Sequence, residues 1–132
     1  MTEAPVFLGA AADAPQPPAG FGAVVATFHF TSHVELYRSG MLVNDRPNYD
    51  IWVPPPLLYV DGQQVRASWS RWWYPLRPGA HDVEVRQPAT ARRRVEVAAG
   101  GLVRLEYRAS IMIRKDHTDT QVLQWHNTAK LR

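Results

Sequence analysis

The stretch Leu57-Leu58-Tyr59-Val60-Asp61-Gly62, followed by Pro78-Gly79-Ala80-His81-Asp82-Val83-Glu84-Val85, decides the fold. It reads as a strand, a tight Asp-Gly turn, an insertion, a Pro-Gly turn and a second, alternating strand. Asp-Gly is a strong short-range hairpin signal because Gly accepts positive φ without a steric penalty. In Val83 and Val85, apolar residues alternate with the polar Asp82 and Glu84, the period of a half-buried strand.

The same reading extends outward in both directions. Short strands are predicted at residues 57–60, 64–67, 71–74, 81–86, 92–98 and 102–108, separated by Asp-Gly, Pro-Gly and Gly-Gly turns. Val95 and Val97, then Val103, Leu105 and Tyr107, share the inward parity, while Arg92, Arg94, Glu96, Arg104 and Glu106 face out. Upstream, Val24, Ala26, Phe28, Phe30, Val34 and Leu36 alternate with Thr27, His29, Thr31, His33 and Glu35. That run exceeds the usual strand length of about 3–10 residues, so a bend or break is expected near Thr31-Ser32. Residues 39–56 carry Gly40, Pro47 and Pro54-Pro55-Pro56 and read as a loop with at most a short strand at 49–53. A last strand is expected at 121–125, after a turn at 116–119. No segment shows helical periodicity. The expectation is an all-β fold: a single antiparallel β-sandwich of immunoglobulin-like type, with a barrel as second choice.

With 132 residues, 45% of them hydrophobic, the chain fits one domain with a single core. Residues 21–132 read as that domain. Residues 1–20, with Pro15-Gln16-Pro17-Pro18, read as a flexible tail or strap, since this composition favours extended polyproline-like backbone. The chain contains no cysteine, which removes disulfides, thiolate metal ligands and a thiol nucleophile. Neither a secretory signal nor an apolar run long enough for a membrane span is present, and a cytoplasmic location is expected. The net charge of +3 divides unevenly: residues 1–60 carry −3 and residues 61–132 carry +6.

Residues 57–108 resemble the PEGA-type domains of bacterial proteins, small β-sandwich modules built on a Val-Asp-Gly strand, a Pro-Gly-x-His turn and a closing strand. The matching elements are Tyr59-Val60-Asp61-Gly62, Pro78-Gly79-Ala80-His81, and Ala99-Gly100-Gly101 before Val103, Leu105 and Tyr107. The segment is similar also to small proteins of high-GC bacteria that carry a Trp-rich strand at this place. The resemblance implies a non-catalytic module used for attachment or assembly, and it carries over no active site.

Trp69, Trp72, Trp73 and Tyr74 lie close together with Arg71 and Arg77. Aromatic side chains interleaved with arginine are the composition of interface hot spots and of stacking platforms for sugars and single strands. Strand parity places Trp72 and Tyr74 in the core and Trp73 and Arg71 outside. The expected binding residues are therefore Arg71, Trp73, Trp69 and Arg77, joined by Arg92 and Arg94 of the arginine triplet if the partner is a polyanion. On a strand Arg92 and Arg94 share a face, where Glu84 and Glu96 partly neutralise them, so a plain solvated surface explains them as well. His29 and His33 are four residues apart on one strand, roughly 13 Å and too far to share a metal ion. Asp116, His117, Asp119 and His126 could converge around the carboxy-terminal turn, but turn chemistry already explains Asp116 and Asp119, and no metal site is expected. Neither a nucleophile elbow, a phosphate loop nor a nucleic-acid-binding signature occurs, and no cofactor is expected.

These features predict a non-enzymatic module for protein-protein interaction or assembly through the Trp-rich strand and an open sheet edge. A carbohydrate- or polyanion-binding domain using the exposed aromatics and the basic second half is the alternative.

Overall fold

The computed structural model describes residues 4–10, 12–47, 51–116 and 122–132. Among these residues the fold is all-β, with ten strands and no helix. The strands are β1 (Val6–Phe7), β2 (Gly22–Arg38), β3 (Met41–Pro47), β4 (Leu58–Val60), β5 (Gln63–Val65), β6 (Arg71–Leu76), β7 (Gly79–Val85), β8 (Ala91–Val97), β9 (Leu102–Asp116) and β10 (Val122–Leu131). They form a six-stranded sheet ordered β1-β6-β2-β9-β10, with β3 also on β2, and a four-stranded sheet ordered β5-β4-β7-β8.

The sheets do not close into a barrel, which overturns the second-choice architecture. The purely antiparallel expectation is corrected too. β2 and β9 run parallel from Ala23↔Leu102 to Tyr37↔Asp116, the longest pairing in the molecule. A parallel pair needs a crossover connection, and residues 39–101, which include the whole small sheet, supply it.

Alternation fills the space between the sheets. Val24, Ala26 and Phe28 of β2, Trp72 and Tyr74 of β6, and Leu105, Tyr107 and Ala109 of β9 meet Leu58, Val60, Val83, Val85, Val95 and Val97 of the small sheet. Each valine, leucine or phenylalanine side chain buried this completely contributes roughly 1.5–3 kcal/mol. Gly22 is required where β2 enters, because a Cβ there would lie 2.3 Å from both the Ala98 carbonyl oxygen and Val97 Cγ1.

Several strand boundaries differ from expectation, among them that of β9, which runs on to Asp116 where an end at 108 is expected. β2 continues through Thr31-Ser32 without a break, held on one side by unbroken pairing with β9. The loop expected from residue 39 instead begins with β3, which folds back on β2 across a Ser39-Gly40 turn with φ of 51° and 77°. Turn chemistry overrode the loop-like composition of Asn44, Asp45 and Pro47. Of the short strand expected at 49–53, residues 49 and 50 lie outside the described residues, and 51–53 are not strand. β10 extends to Leu131, well past residue 125, while residue 121 and most of the turn placed at 116–119 also lie outside the described residues.

β2 and β9 divide into two halves. The first half, residues 22–28 and 102–109, is covered by the small sheet. The second half runs past that sheet, and Val53 packs on its Ile111 and Ile113, with Ile51 alongside.

Candidate binding surface

β6 does not present its tryptophans to solvent. Trp72 is 7% exposed and Trp73 5%, so both faces of this strand are covered. The side away from the core is closed by the segment before residue 21, where Leu8 and Ala14 pack on Ala23, Val25 and Trp73. Arg71 clasps that strap. Its Nε donates to the Gly9 carbonyl at 3.2 Å, another guanidinium N–H donates to the Ala12 carbonyl, and its own carbonyl accepts from Leu8 N–H at 2.9 Å. The expectation of an outward Trp73 and a free Arg71 is thus corrected. Parity within one strand identifies opposite faces but not what the chain folds over each of them.

The remaining expected site residues also have partners within the chain, Arg92 and Arg94 at the surface. Trp69 Nε1 donates to the carbonyls of Val53 and Pro54, and its ring packs edge-on against Phe30 and stacks on Tyr107. Arg77 lies over the Phe21 ring, 5.9 Å from its centre. Arg92 pairs with Glu84 and Arg94 with Asp82, each directly across the β7–β8 ladder. The six residues therefore form no common surface. Arg71 and Trp69 hold the strap and the 51–54 segment in place, and the two β8 arginines are balanced by cross-strand acids. Among the described residues no group of three His, Cys, Asp or Glu side chains is arranged to hold a metal ion.

The two exposed tryptophans lie elsewhere. Trp52 is 78% exposed and Trp125 52% exposed. They line a groove of about 250 Å³ with Pro54, Gln87, Pro88 and Asn127 as further walls and Val53 and Ile111 as floor. None of these residues is charged. Trp125 shares the inward parity of Asn127, Ala129 and Leu131 on β10, since its register partner is the buried Ile113. It lies along the second half of β9, past the small sheet, so its ring stays in solvent. Trp52 is fixed by its neighbours on the carboxyl side: Val53 is buried, Pro54 to Pro56 stiffen the chain, and Trp69 caps the Val53 and Pro54 carbonyls. The opposite wall is set by Tyr107, whose hydroxyl donates to Ala89 O at 2.6 Å and accepts from Ala89 N–H. Burial pushes that phenol above its ordinary value. Asn127 Nδ2 donates to Pro88 O, while its Oδ1 has no partner among the described residues. Farther along the same half, Met41, Leu42 and Val43 are exposed at the tip of the β2–β3 hairpin.

Sequence reasoning missed Trp52 because it sits in a proline-rich loop. The signal was present: an aromatic in Ile51-Trp52-Val53-Pro54 cannot be drawn into a ladder that the prolines forbid.

A second cleft, of about 440 Å³, opens at the opposite end, where Asp61, His81, Arg77, Tyr74, Phe21 and Gln63 contribute walls. Asp61 and Gly62 have φ of 50° and 81°, the two positive values of a type I′ hairpin. Asp61 accepts from His81 Nδ1 at 2.6 Å and from the Asp82 amide at 2.9 Å, and His81 Nε2 lies 2.6 Å from Arg77 O. With an acceptor at each ring nitrogen, this geometry suits the imidazolium. Burial pushes His81 down, but the Arg77 carbonyl and the Asp61 carboxylate outweigh it and raise the group above its usual value. Burial pushes Asp61 up, and the His81 and Asp82 hydrogen bonds with the charges of His81 and Arg94 outweigh it and lower the group. Both ring nitrogens of His81 are occupied, so the cluster is built as a brace.

No protein family, curated protein or solved structure matches this chain. No helix long and apolar enough to cross a membrane occurs among the described residues.

Proposed function

We propose that this chain is a non-enzymatic β-sandwich module, PEGA-like in its core, that binds another protein. The contact surface is placed on the second half of the long sheet rather than on the Trp-rich strand. The carrying observation is that five of the eight exposed large apolar residues, Met41, Leu42, Val43, Trp52 and Trp125, lie along that one half, while Val6, Phe7 and Leu102 lie along the other. Exposed apolar groups collected in one region mark contacts, because each is a solubility liability when left uncovered. The PEGA-like reading is supported by the Asp61–His81 bond, which joins the two turns that carry the resemblance.

The test is site-specific photo-crosslinking in the native cells. A photoreactive amino acid in place of Trp52 or Leu42 is expected to give protein adducts of discrete mass. The same probe in place of Gln63, at the other end of the molecule, is expected to give none. Equal adduct patterns from both ends would overturn the reading.

A second reading is supported by the groove itself. Two exposed indoles with Asn127 and Gln87 between them and no charge suit a neutral sugar ring better than a polyanion. Calorimetric titration with neutral oligosaccharides tests it: heat that disappears in Trp125→Ala is expected, and no heat with any of them would remove this reading.

A further inference from the structure

Two packed sheets that do not close leave strand edges, and the free edges of this molecule are not equivalent. β1 is two residues long and β5 three. β3 is interrupted by a register shift and ends in Asp45, Arg46 and Pro47. β8 carries Arg92, Arg93, Arg94 and Glu96. Short length, bulges, charge and proline are the devices by which edges are made unreceptive to another strand. β10 is the exception. It pairs regularly with β9 from Gln124 to Leu131, contains no proline, and carries Lys130 as its one formal charge. Among the described residues its backbone forms hydrogen bonds to β9 alone. Its other side therefore presents unpaired N–H and C=O groups beside the Trp52–Trp125 groove.

We propose that the free edge of β10 over residues 124–130 receives an extended segment of another protein as an added strand, and that this segment alternates apolar and acidic side chains. This rests on the protein-interaction reading and specifies the partner's chemistry. The apolar half of the pattern follows from the inward face. An added strand lies about 4.8 Å from β10, so its inward side chains fall beside Trp125 and Asn127 and reach the uncharged groove. The acidic half follows from the outward face, which carries His126, Thr128 and Lys130. Lys130 stands opposite Arg108 on β9, a like-charge pair, and forms no ion pair among the described residues. Arg108 shares Glu106 with His29, which leaves Lys130 the cation that a partner carboxylate would answer. Charge also argues against a second copy of this chain. Residues 122–132 contain no acid and two cations, so β10 against β10 would add positive charge to positive charge.

The experiment pans the full chain against a displayed library of random ten-residue peptides. Recovered peptides are then synthesised with a fluorescent label and titrated by anisotropy. Alternating apolar and acidic residues are expected in the recovered set. Trp125→Ala should weaken their binding about tenfold or more. Lys130→Glu, a surface change that leaves the groove intact, should weaken the acidic peptides and restore binding to versions carrying Lys at the acidic positions. Methylating alternate peptide amides should abolish binding, since an added strand is held through its backbone. Recovered peptides without the alternation, affinity indifferent to both substitutions, or no recovered peptide at all would each overturn the proposal. A dimer seen by light scattering and lost in Trp125→Ala would assign the edge to a second copy and overturn the partner chemistry. Crosslinks from position 52 or 42 that persist in any of those cases would leave the interaction reading standing while strand addition falls.

Discussion

The two halves of β2 and β9 are written in the same alternating code and meet different fates. In the first half, Val24, Ala26 and Phe28 face Val83, Val85, Val95 and Val97 across a closed core. The strap seals the other side over Val25 and Trp73. In the second half the alternation continues through Val34, Ile111 and Ile113, yet the cover is a loop rather than a sheet, and Trp52, Trp125 and Met41 remain in solvent. Alternation specifies that one face is to be covered. Whether the cover comes from the same chain is decided by topology, and on this molecule a second sheet covers the core face in only one half.

The sharpest way to break this contrast is to truncate one tryptophan from each half. Trp72→Ala and Trp73→Ala should each lower stability by roughly 3–5 kcal/mol, because both open a cavity in a covered layer. Urea denaturation followed by circular dichroism measures it. If Trp73→Ala left the midpoint unchanged, the strap would not be a true layer, and the first half would be as open as the second on that side.

The core and the turns were legible in the sequence; the surface was not. The Asp61-Gly62 hairpin and the inward parity of Val83, Val85, Val95 and Val97 follow from local backbone and side-chain geometry, which a sequence states directly. The placing of Trp73 depends on Leu8 and Ala14 packing over that side of β6, and that of Trp125 on the small sheet stopping short of it. Both are contacts between segments far apart in the chain, to which a period-two pattern is blind. The parallel β2–β9 pairing is hidden for the same reason, since nothing in either strand states its partner's direction. Arg71 shows the effect most plainly: read as a surface cation, it is engaged by carbonyls of the strap.

A smaller effect is expected at the hairpin that closes the first half. Gly62 has φ of 81° with open space around its Cα, so Gly62→Val meets backbone strain alone. The expected cost is about 1–3 kcal/mol, read as a lower denaturation midpoint with unchanged denaturant dependence. Gly62→Asn, a residue that tolerates left-handed backbone, should recover most of it. If both variants behaved alike, the strain account would be wrong.

The Asp61–His81 brace gives that same end a pH dependence. His81 is raised in the folded state, so its contribution is fully present below the ordinary histidine value near 6.5 and is lost as pH rises through the folded value above it. Asp61 is lowered, so its contribution is present above the ordinary carboxylate value near 3.8 and is lost as pH falls through the folded value below it. The brace therefore stabilises most between those two values. Denaturation midpoints should fall as pH rises past the ordinary histidine value near 6.5 in the native chain and fall less in His81→Gln. Parallel curves for the two proteins would show that the brace is not the origin of the slope.

The smallest expected effect is at the exposed pair, and it sharpens the comparison from the other side. Trp52, at 78% exposure, projects furthest into solvent, and Trp125 is about half exposed beside it in the groove. Removing a side chain that the fold does not enclose withdraws little buried area and leaves no cavity. Trp52→Ala should therefore change stability by no more than about 0.5 kcal/mol, as at an ordinary surface site. Crosslinking from position 42 should nevertheless be lost in that variant, because the aromatic is retained for contact rather than for folding. A loss of stability as large as that of Trp72→Ala would mean that Trp52 closes the second half as the small sheet closes the first. The contrast between the halves would then disappear, and the binding surface with it.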